Sequence, residues 1–283
     1  MKTLGIDVGS SSIKVAILDV ETGKRLASVT LPETEMTIDA PHTGWAEQDP
    51  LVWWNYVSLA IPIAIQQANL KPEDINAIGI TYQMHGLVCI DENGKLLRKS
   101  IIWCDSRAVA LGNEATLIIG KEKCLSHLLN APGNFTASKL AWVKMYEPEV
   151  YKRIVKIMLP GDFIALMLTG KATTTVTGLS EGMFWDYLKH APSKFLLEHF
   201  GFNSSLLSDL VPQIGFQGEL LSDVAHHLGL KAGIPITYRA GDQPNNAFSL
   251  NVLNPGEVAA TAGTSGVVYG VSDQVKYDPQ SRV

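Results

Sequence analysis

Leu4-Gly5-Ile6-Asp7-Val8-Gly9-Ser10-Ser11-Ser12-Ile13-Lys14-Val15-Ala16-Ile17-Leu18 is the stretch that decides the fold. Residues 4–8 read as a strand, Gly9 to Ser12 as a turn of small residues, and 13–18 as a second strand with the two-residue alternation of a half-buried sheet. Glu21-Thr22-Gly23-Lys24 predicts another turn and 25–31 a third strand. Three antiparallel strands before any helix disfavour a Rossmann opening, which needs a βαβ unit.

Further along, Asp49-Pro50 opens a helical pattern to about Asn69, with Asp49 as cap and Pro50 in the first turn. The apolar part of that pattern, 58–67, reads as a buried helix rather than a membrane span. Strands are predicted at 75–81, 86–91, 101–103 and 234–239, with a hairpin-type turn at Asp91-Glu92-Asn93-Gly94. Helices are predicted from Arg107 onward and at 136–147, 161–168, 192–200, 219–228 and 242–250. After Asn254-Pro255-Gly256 a strand (257–262), a small-residue turn (Gly263-Thr264-Ser265-Gly266) and a strand (267–271) repeat the opening layout. Two such hairpins suggest two lobes of related topology, the second barely begun, and hence a truncated chain.

At 283 residues, 46% hydrophobic and with six tryptophans, the chain can bury a sizeable core. A net charge of −5 argues against a nucleic-acid surface, no stretch is long and apolar enough to suggest a membrane partner, and the N-terminus carries no signal-peptide pattern. Cys89, Cys104 and Cys124 show no zinc spacing and read as buried small hydrophobes in a reducing, cytoplasmic setting. His226 and His227 read as a solvated helix end.

Six segments carry chemistry. In the opening turn, Gly9, Ser10, Ser11 and Ser12 could turn backbone N–H groups and hydroxyls toward phosphate, with Lys14 as a point charge and Asp7 placed for a hydrated Mg²⁺; an ordinary hairpin is the plain alternative. Gly263, Thr264 and Ser265 offer similar donors, and together the two turns would clamp a triphosphate from both lobes. Asp242, followed by Gln243, is either the ionised base of a phosphoryl transfer, held so by the helix dipole, or a helix cap. His85, in Gln83-Met84-His85-Gly86, is either a core histidine or a ligand contact. Asp105, in Trp103-Cys104-Asp105-Ser106-Arg107, either caps the next helix or bonds a polyol. In Gly44-Trp45-Ala46-Glu47-Gln48-Asp49-Pro50, Trp45 reads as packing.

In this order, these segments resemble the FGGY family of carbohydrate kinases, with further landmarks at SKLAWVKMYEPE (138–149), MLPGDFIALMLTG (158–170) and NPGEVAATAGTSGVVY (254–269). The similarity runs from Thr3 to about Val271 and is closest to the members that act on xylulose. It implies an α/β, ribonuclease H-like lobe of the hexokinase/actin type, with a mixed sheet and flanking helices. Residues 1–255 would be the sugar-binding lobe and 256–283 the start of the nucleotide-binding lobe. The implied activity is ATP- and Mg²⁺-dependent phosphorylation of a small ketose, D-xylulose first, with this chain inactive alone and a homodimer left open. The resemblance places the catalytic base on Asp242, sugar contacts on Met84, His85, Trp103, Asp105, Arg107 and Gln243, and phosphate contacts on the two turns. Two departures stand out: residues 173–177 hold no Asp where related kinases commonly have one, and Asp242 is followed by Gln243-Pro244. Ribulose, gluconate or glycerol as substrate, a non-catalytic sugar-responsive protein and an actin-like ATPase are the rival readings.

Overall fold

The alternation of the opening residues becomes β1 (Lys2–Val8), β2 (Ile13–Asp19) and β3 (Lys24–Leu31), each antiparallel to the next. Leu4, Ile6, Val8, Ile13, Val15 and Ile17 share one buried face, while Gly5, Asp7, Lys14 and Ala16 lie on the more open one. A computed structural model describes residues 1–261 and 266–280.

A two-residue strand, β4 (Glu47–Gln48), leads into α1 (Pro50–Gln67). The Asp49 carboxylate caps this helix by accepting the Leu51 N–H at 2.9 Å. Trp53, Val57, Ala60, Ile61 and Ala64 recur three and four apart and bury α1 against β2 and β3. Pro62 does not end the helix, because it faces solvent, where the carbonyl one turn back can bond water.

β5 (Ile75–Tyr82) then returns parallel to β1. β6 (Val88–Ile90) and β7 (Ser100–Ile101) follow, β7 pairing with β4. Helices α2 (Val109–Ile119), α3 (Lys121–Leu128), α4 (Thr136–Tyr146) and α5 (Pro148–Tyr151) lead to β8 (Lys156–Met158), the partner of β6. α6 (Pro160–Thr169) packs on β5 and α1. The next stretch holds β9 (Thr173–Thr174), α7 (Val176–Glu181), β10 (Trp185–Asp186), β11 (Ala191–Pro192), α8 (Lys194–Phe200) and β12 (Asp209–Leu210). β13 (Ile214–Glu219), α9 (Ser222–Leu228), β14 (Pro235–Gly241) and α10 (Asp242–Ser249) complete the lobe. A hairpin of β15 (Val258–Thr261) and β16 (Val267–Gly270) comes next.

The central sheet has the order β13-β14-β5-β1-β2-β3. β14, β5 and β1 run parallel and the outer pairs antiparallel, so the sheet is mixed. One core lies between this sheet and α1, α6 and α9; a second gathers Leu140, Trp142 and Val143 of α4, Phe184, Trp185 of β10, Leu196 of α8 and Phe202. Arg239 of β14 is buried in the first and meets Asp162 of α6 at 3.0 Å.

Three local expectations need correction. Cys104 is exposed, unlike Cys89 and Cys124, because it sits on the turn after β7 rather than inside a strand. The helical segment from Arg107 starts at Val109 and is divided at Gly120, whose φ of 97° breaks α2 from α3. β13 falls where no element is predicted, its pattern disguised by Gly215 and Gly218 at φ of 132° and 145°. No helix among the described residues is long and apolar enough to cross a membrane.

Candidate functional site

The ladder register explains where the site forms. Tyr82 at the end of β5 pairs with Val8 at the end of β1 on one side and with Gly241 at the end of β14 on the other. Three parallel strands therefore stop at one level, and the segments that leave them (Gly9 to Ser12, Gln83 to Gly86, and Asp242) emerge side by side. In open α/β sheets this carboxyl edge is where ligands bind. Here it borders a cleft of about 570 Å³ lined by Asp7, Gly9, Ser10, Ser11, Lys14, Met84, His85, Trp103, Asp242, Gln243 and Val267, among others.

The Gly9 turn is tight: its N–H donates to the Ser12 carbonyl at 3.1 Å, and a β-carbon on Gly9 would stand 2.9 Å from that oxygen. Ser10 is fixed twice, its carbonyl accepting from Gln48 at 2.7 Å and its hydroxyl from the Trp103 indole at 3.2 Å. Lys14, opposite Asp7 in the β1–β2 ladder, reaches its carboxylate at 3.2 Å. Ser12 closes the turn and is not among the lining residues.

Asp242 is the first residue of α10, and the cap position belongs to Gly241, so the cap alternative for Asp242 does not hold. Burial, the largest influence, and the nearby Asp7 charge raise its pKa, opposed by the Gln243 N–H. The net upward shift runs against the helix-dipole expectation and makes the carboxylate a better proton acceptor. Glycine at 241 leaves room for this approach: a β-carbon would meet Met84 Cγ at 2.6 Å and Glu181 Oε2 at 3.0 Å, so those side chains would have to shift.

Asp105 and Arg107, expected at the sugar, are not brought to the cleft. Asp105 is fully buried, and its oxygens accept from the Ala46 N–H at 2.6 Å, the Arg107 N–H at 2.9 Å and the Arg107 guanidinium at 2.6 Å. Arg107 also meets Glu47 at 2.6 Å and lies 3.7 Å from the Trp45 ring. These groups consume one another and tie β4 to the loop after β7. Gly263, Thr264 and Ser265 lie outside the described residues.

The reading of the sequence passed over Glu181, Lys139 and Tyr82, buried groups that lie behind the cleft residue His85. Glu181 Oε1 accepts the His85 N–H at 3.1 Å, and Oε2 lies 3.2 Å from the Tyr82 hydroxyl. Lys139 donates to the His85 carbonyl at 2.7 Å. Burial pushes Glu181 up to about 8 and Lys139 down to about 7. A lone Glu in the otherwise small and apolar run Gly178-Leu179-Ser180-Glu181-Gly182-Met183-Phe184 was the available signal. Thr173, in the stretch without the Asp of related kinases, gives its carbonyl and hydroxyl to Arg239 at 3.0 and 3.1 Å.

Among the described residues, no group of three or more His, Cys, Asp or Glu side chains could hold a metal ion directly. Asp7, partly exposed and facing the cleft, does fit a hydrated cation met through water, the form in which Mg²⁺ accompanies phosphates.

Residues 2–249 match a family model described as the FGGY family of carbohydrate kinases, N-terminal domain. Xylulose kinase of Escherichia coli (strain K12) is 32% identical over 283 residues, a match spanning 99% of this chain and 56% of that protein. Among solved structures, a xyloylose kinase from Brucella ovis superposes with a TM-score of 0.89 at 28% identity, covering 99% of this chain and 57% of that one. Xylulose kinase from Rhodospirillum rubrum gives 0.91 at 25% identity, with 99% and 57% covered. The chain spans about half the length of the curated relatives it matches. These likenesses bear out the ribonuclease H-like, mixed-sheet lobe.

Proposed function

Because the chain belongs to the FGGY family of carbohydrate kinases, we propose that the protein transfers the γ-phosphoryl group of ATP to the terminal hydroxyl of a small ketose, D-xylulose, giving D-xylulose 5-phosphate and ADP. The observation that carries this reading is one cleft holding both a partly buried carboxylate on a helix start, Asp242, and a tight turn of small residues, Gly9 to Ser12. Met84, His85, Trp103 and Gln243 line the same space and would hold the ketose; Ser10, Ser11 and Lys14 would meet phosphate. Residues 1–255 would form the ketose-binding lobe and 256–283 the beginning of a nucleotide-binding lobe, in a cytoplasmic enzyme.

In this mechanism Asp242 takes the hydroxyl proton as the sugar oxygen bonds to the γ-phosphorus. The bond from that phosphorus to the β–γ bridging oxygen breaks, and the electron pair leaves with ADP. Asp242 has the raised proton affinity such a base needs. Lys14 and the N–H groups of the turn would offset charge on the phosphates. Mg²⁺, bound to the phosphates with Asp7 at its water shell, would supply further charge neutralisation. Positioning by the cleft walls would provide much of the remaining rate.

ADP release with D-xylulose, D-ribulose, gluconate and glycerol, by a protein that carries the nucleotide-binding lobe in full, tests the assignment. Turnover that requires D-xylulose is expected, and ATP hydrolysis indifferent to every sugar overturns the kinase reading. Asp242→Asn is expected to keep ketose affinity while lowering kcat by roughly 10²-fold or more; a near-normal kcat would remove Asp242 from the chemistry.

A further inference from the structure

His85 has a φ of 63°, in the left-handed region that a side chain with a β-carbon enters only at a cost. Both ends of its backbone are held from distant parts of the chain. Its N–H donates to the Glu181 carboxyl at 3.1 Å, and its carbonyl accepts from the Lys139 ammonium at 2.7 Å. Neither partner is near in sequence, and both are buried, in surroundings where a carboxyl and an ammonium are costly to place. Phe135 stands edge-on to the ring at 4.5 Å, and Gly86 beside it has no room for a β-carbon, which would meet Pro160 at 2.6 Å. The turn that carries His85 is thus held at both backbone ends, and His85 lines the cleft.

The clamp also decides which ring nitrogen carries the proton. Nδ1 lies 3.2 Å from the backbone carbonyl of Glu181, and a carbonyl oxygen only accepts. Nδ1 therefore bears the hydrogen, and Nε2 keeps a lone pair. Burial supports the same state by lowering the His85 pKa to about 4, so the ring stays neutral.

We propose that Glu181 and Lys139 are positioning residues that lock His85 in its left-handed turn and in the Nδ1–H form, so that the cleft offers a sugar hydroxyl an acceptor, Nε2, at this point. The inference rests on the ketose reading above and names the specificity element within it. A hydroxyl can donate to Nε2, whereas a carbonyl or a deoxy position there cannot, which selects among ketoses by the position of their hydroxyls.

Two-bond ¹H–¹⁵N spectra of histidine-labelled protein read the tautomer directly, and calorimetry reads D-xylulose and ATP affinity. Wild-type His85 is expected as a single Nδ1–H tautomer with or without sugar. Lys139→Met and Glu181→Leu are expected to lose that single form and to weaken D-xylulose binding about tenfold or more, with ATP affinity unchanged. Glu181→Gln, whose amide oxygen still accepts the His85 N–H, should restore both the tautomer and most of the affinity. A wild-type ring protonated on Nε2 overturns the proposal whether or not any variant folds. So do folded Lys139→Met and Glu181→Leu proteins with wild-type spectra and affinity. A wild-type protein with the Nδ1–H ring that binds no ketose overturns the ketose reading instead; loss of the single tautomer in the two variants then still supports the clamp.

Discussion

Asp105 illustrates how burial changes the meaning of a polar residue at the scale of single side chains. Its motif suggests a ligand contact, yet each of its oxygens is taken by Ala46 or Arg107. Asp105→Ala leaves Arg107 buried with Glu47 as its remaining ion partner, and breaking a buried pair in this way typically costs about 3–5 kcal/mol. The expected result is a large loss in denaturant stability; unchanged stability with a raised KM for the ketose would return Asp105 to the sugar. Glu181 gives a prediction of different form. An unfolded Glu releases its proton near 4.5, while burial, with the Asp162 and Asp242 charges and against the His85 and Tyr82 hydrogen bonds, delays release in the fold until about 8. Between these values the native state binds more protons, so stability falls as pH rises through that window. Glu181→Gln cannot titrate, and its stability relative to wild type should climb from about pH 5 to about pH 8 and then level off. A constant difference in urea titrations across the range would mean that Glu181 is ionised throughout. Asp7, Lys14 and His85 could be singled out from the sequence because their turns are local. The Glu181–His85 contact could not, because the two meet across 96 positions of chain.

Elements were legible wherever their own residues carried the period. The alternation of β1–β3 and the three-and-four spacing of α1 with its Asp49 cap appear in the structure much as the pattern dictates. β13 and the α2–α3 break escaped because glycines at positive φ erase the pattern that a strand or helix would show. Glycine matters differently inside α2. A β-carbon on Gly112 would lie 1.8 Å from the Gly133 carbonyl oxygen, a backbone atom that cannot swing away. Helix and loop touch here without a side chain between them, so Gly112→Ala must push α2 from the 130–134 segment. Overpacking of this kind costs roughly 1–3 kcal/mol, and a backbone clash belongs at the upper end. Chemical denaturation should show that loss, although alanine raises helix propensity by up to about 1 kcal/mol at an unconstrained site. A stabilised Gly112→Ala protein would mean that the α2–loop contact is looser than the structure shows.

On the scale of the whole molecule, the lobe's sheet and its two cores are built from residues before Pro255, whereas the segment after it is attached lightly. Among the described residues from Gly256 onward, Ala259 is buried, while Val258, Val268 and Tyr269 are exposed. The hairpin of β15 and β16 rests on α10, and Tyr277 and Lys121 make exposed hydrogen bonds with Glu122 and Pro279. Exposed polar links of that kind are worth little, about 0–1 kcal/mol each. The repeated strand-turn-strand layout suggests a boundary near Pro255 from the sequence, because a change of pattern is visible without knowing the fold. What the sequence did not show is that Val267 of the hairpin also lines the cleft, a placement that depends on how α10 directs the chain. A polypeptide ending at Pro255 should therefore unfold in one cooperative transition, within a few degrees of the 283-residue chain. It should bind D-xylulose with an affinity reduced by only a few-fold, since Val267, which lines the cleft among the hairpin's described residues, is apolar and the proposed ketose contacts all precede it. Differential scanning calorimetry and titration with D-xylulose on both polypeptides would check this. Loss of cooperative folding, or of ketose binding while the longer chain keeps it, would show that the hairpin belongs to the first lobe and that the boundary lies beyond it.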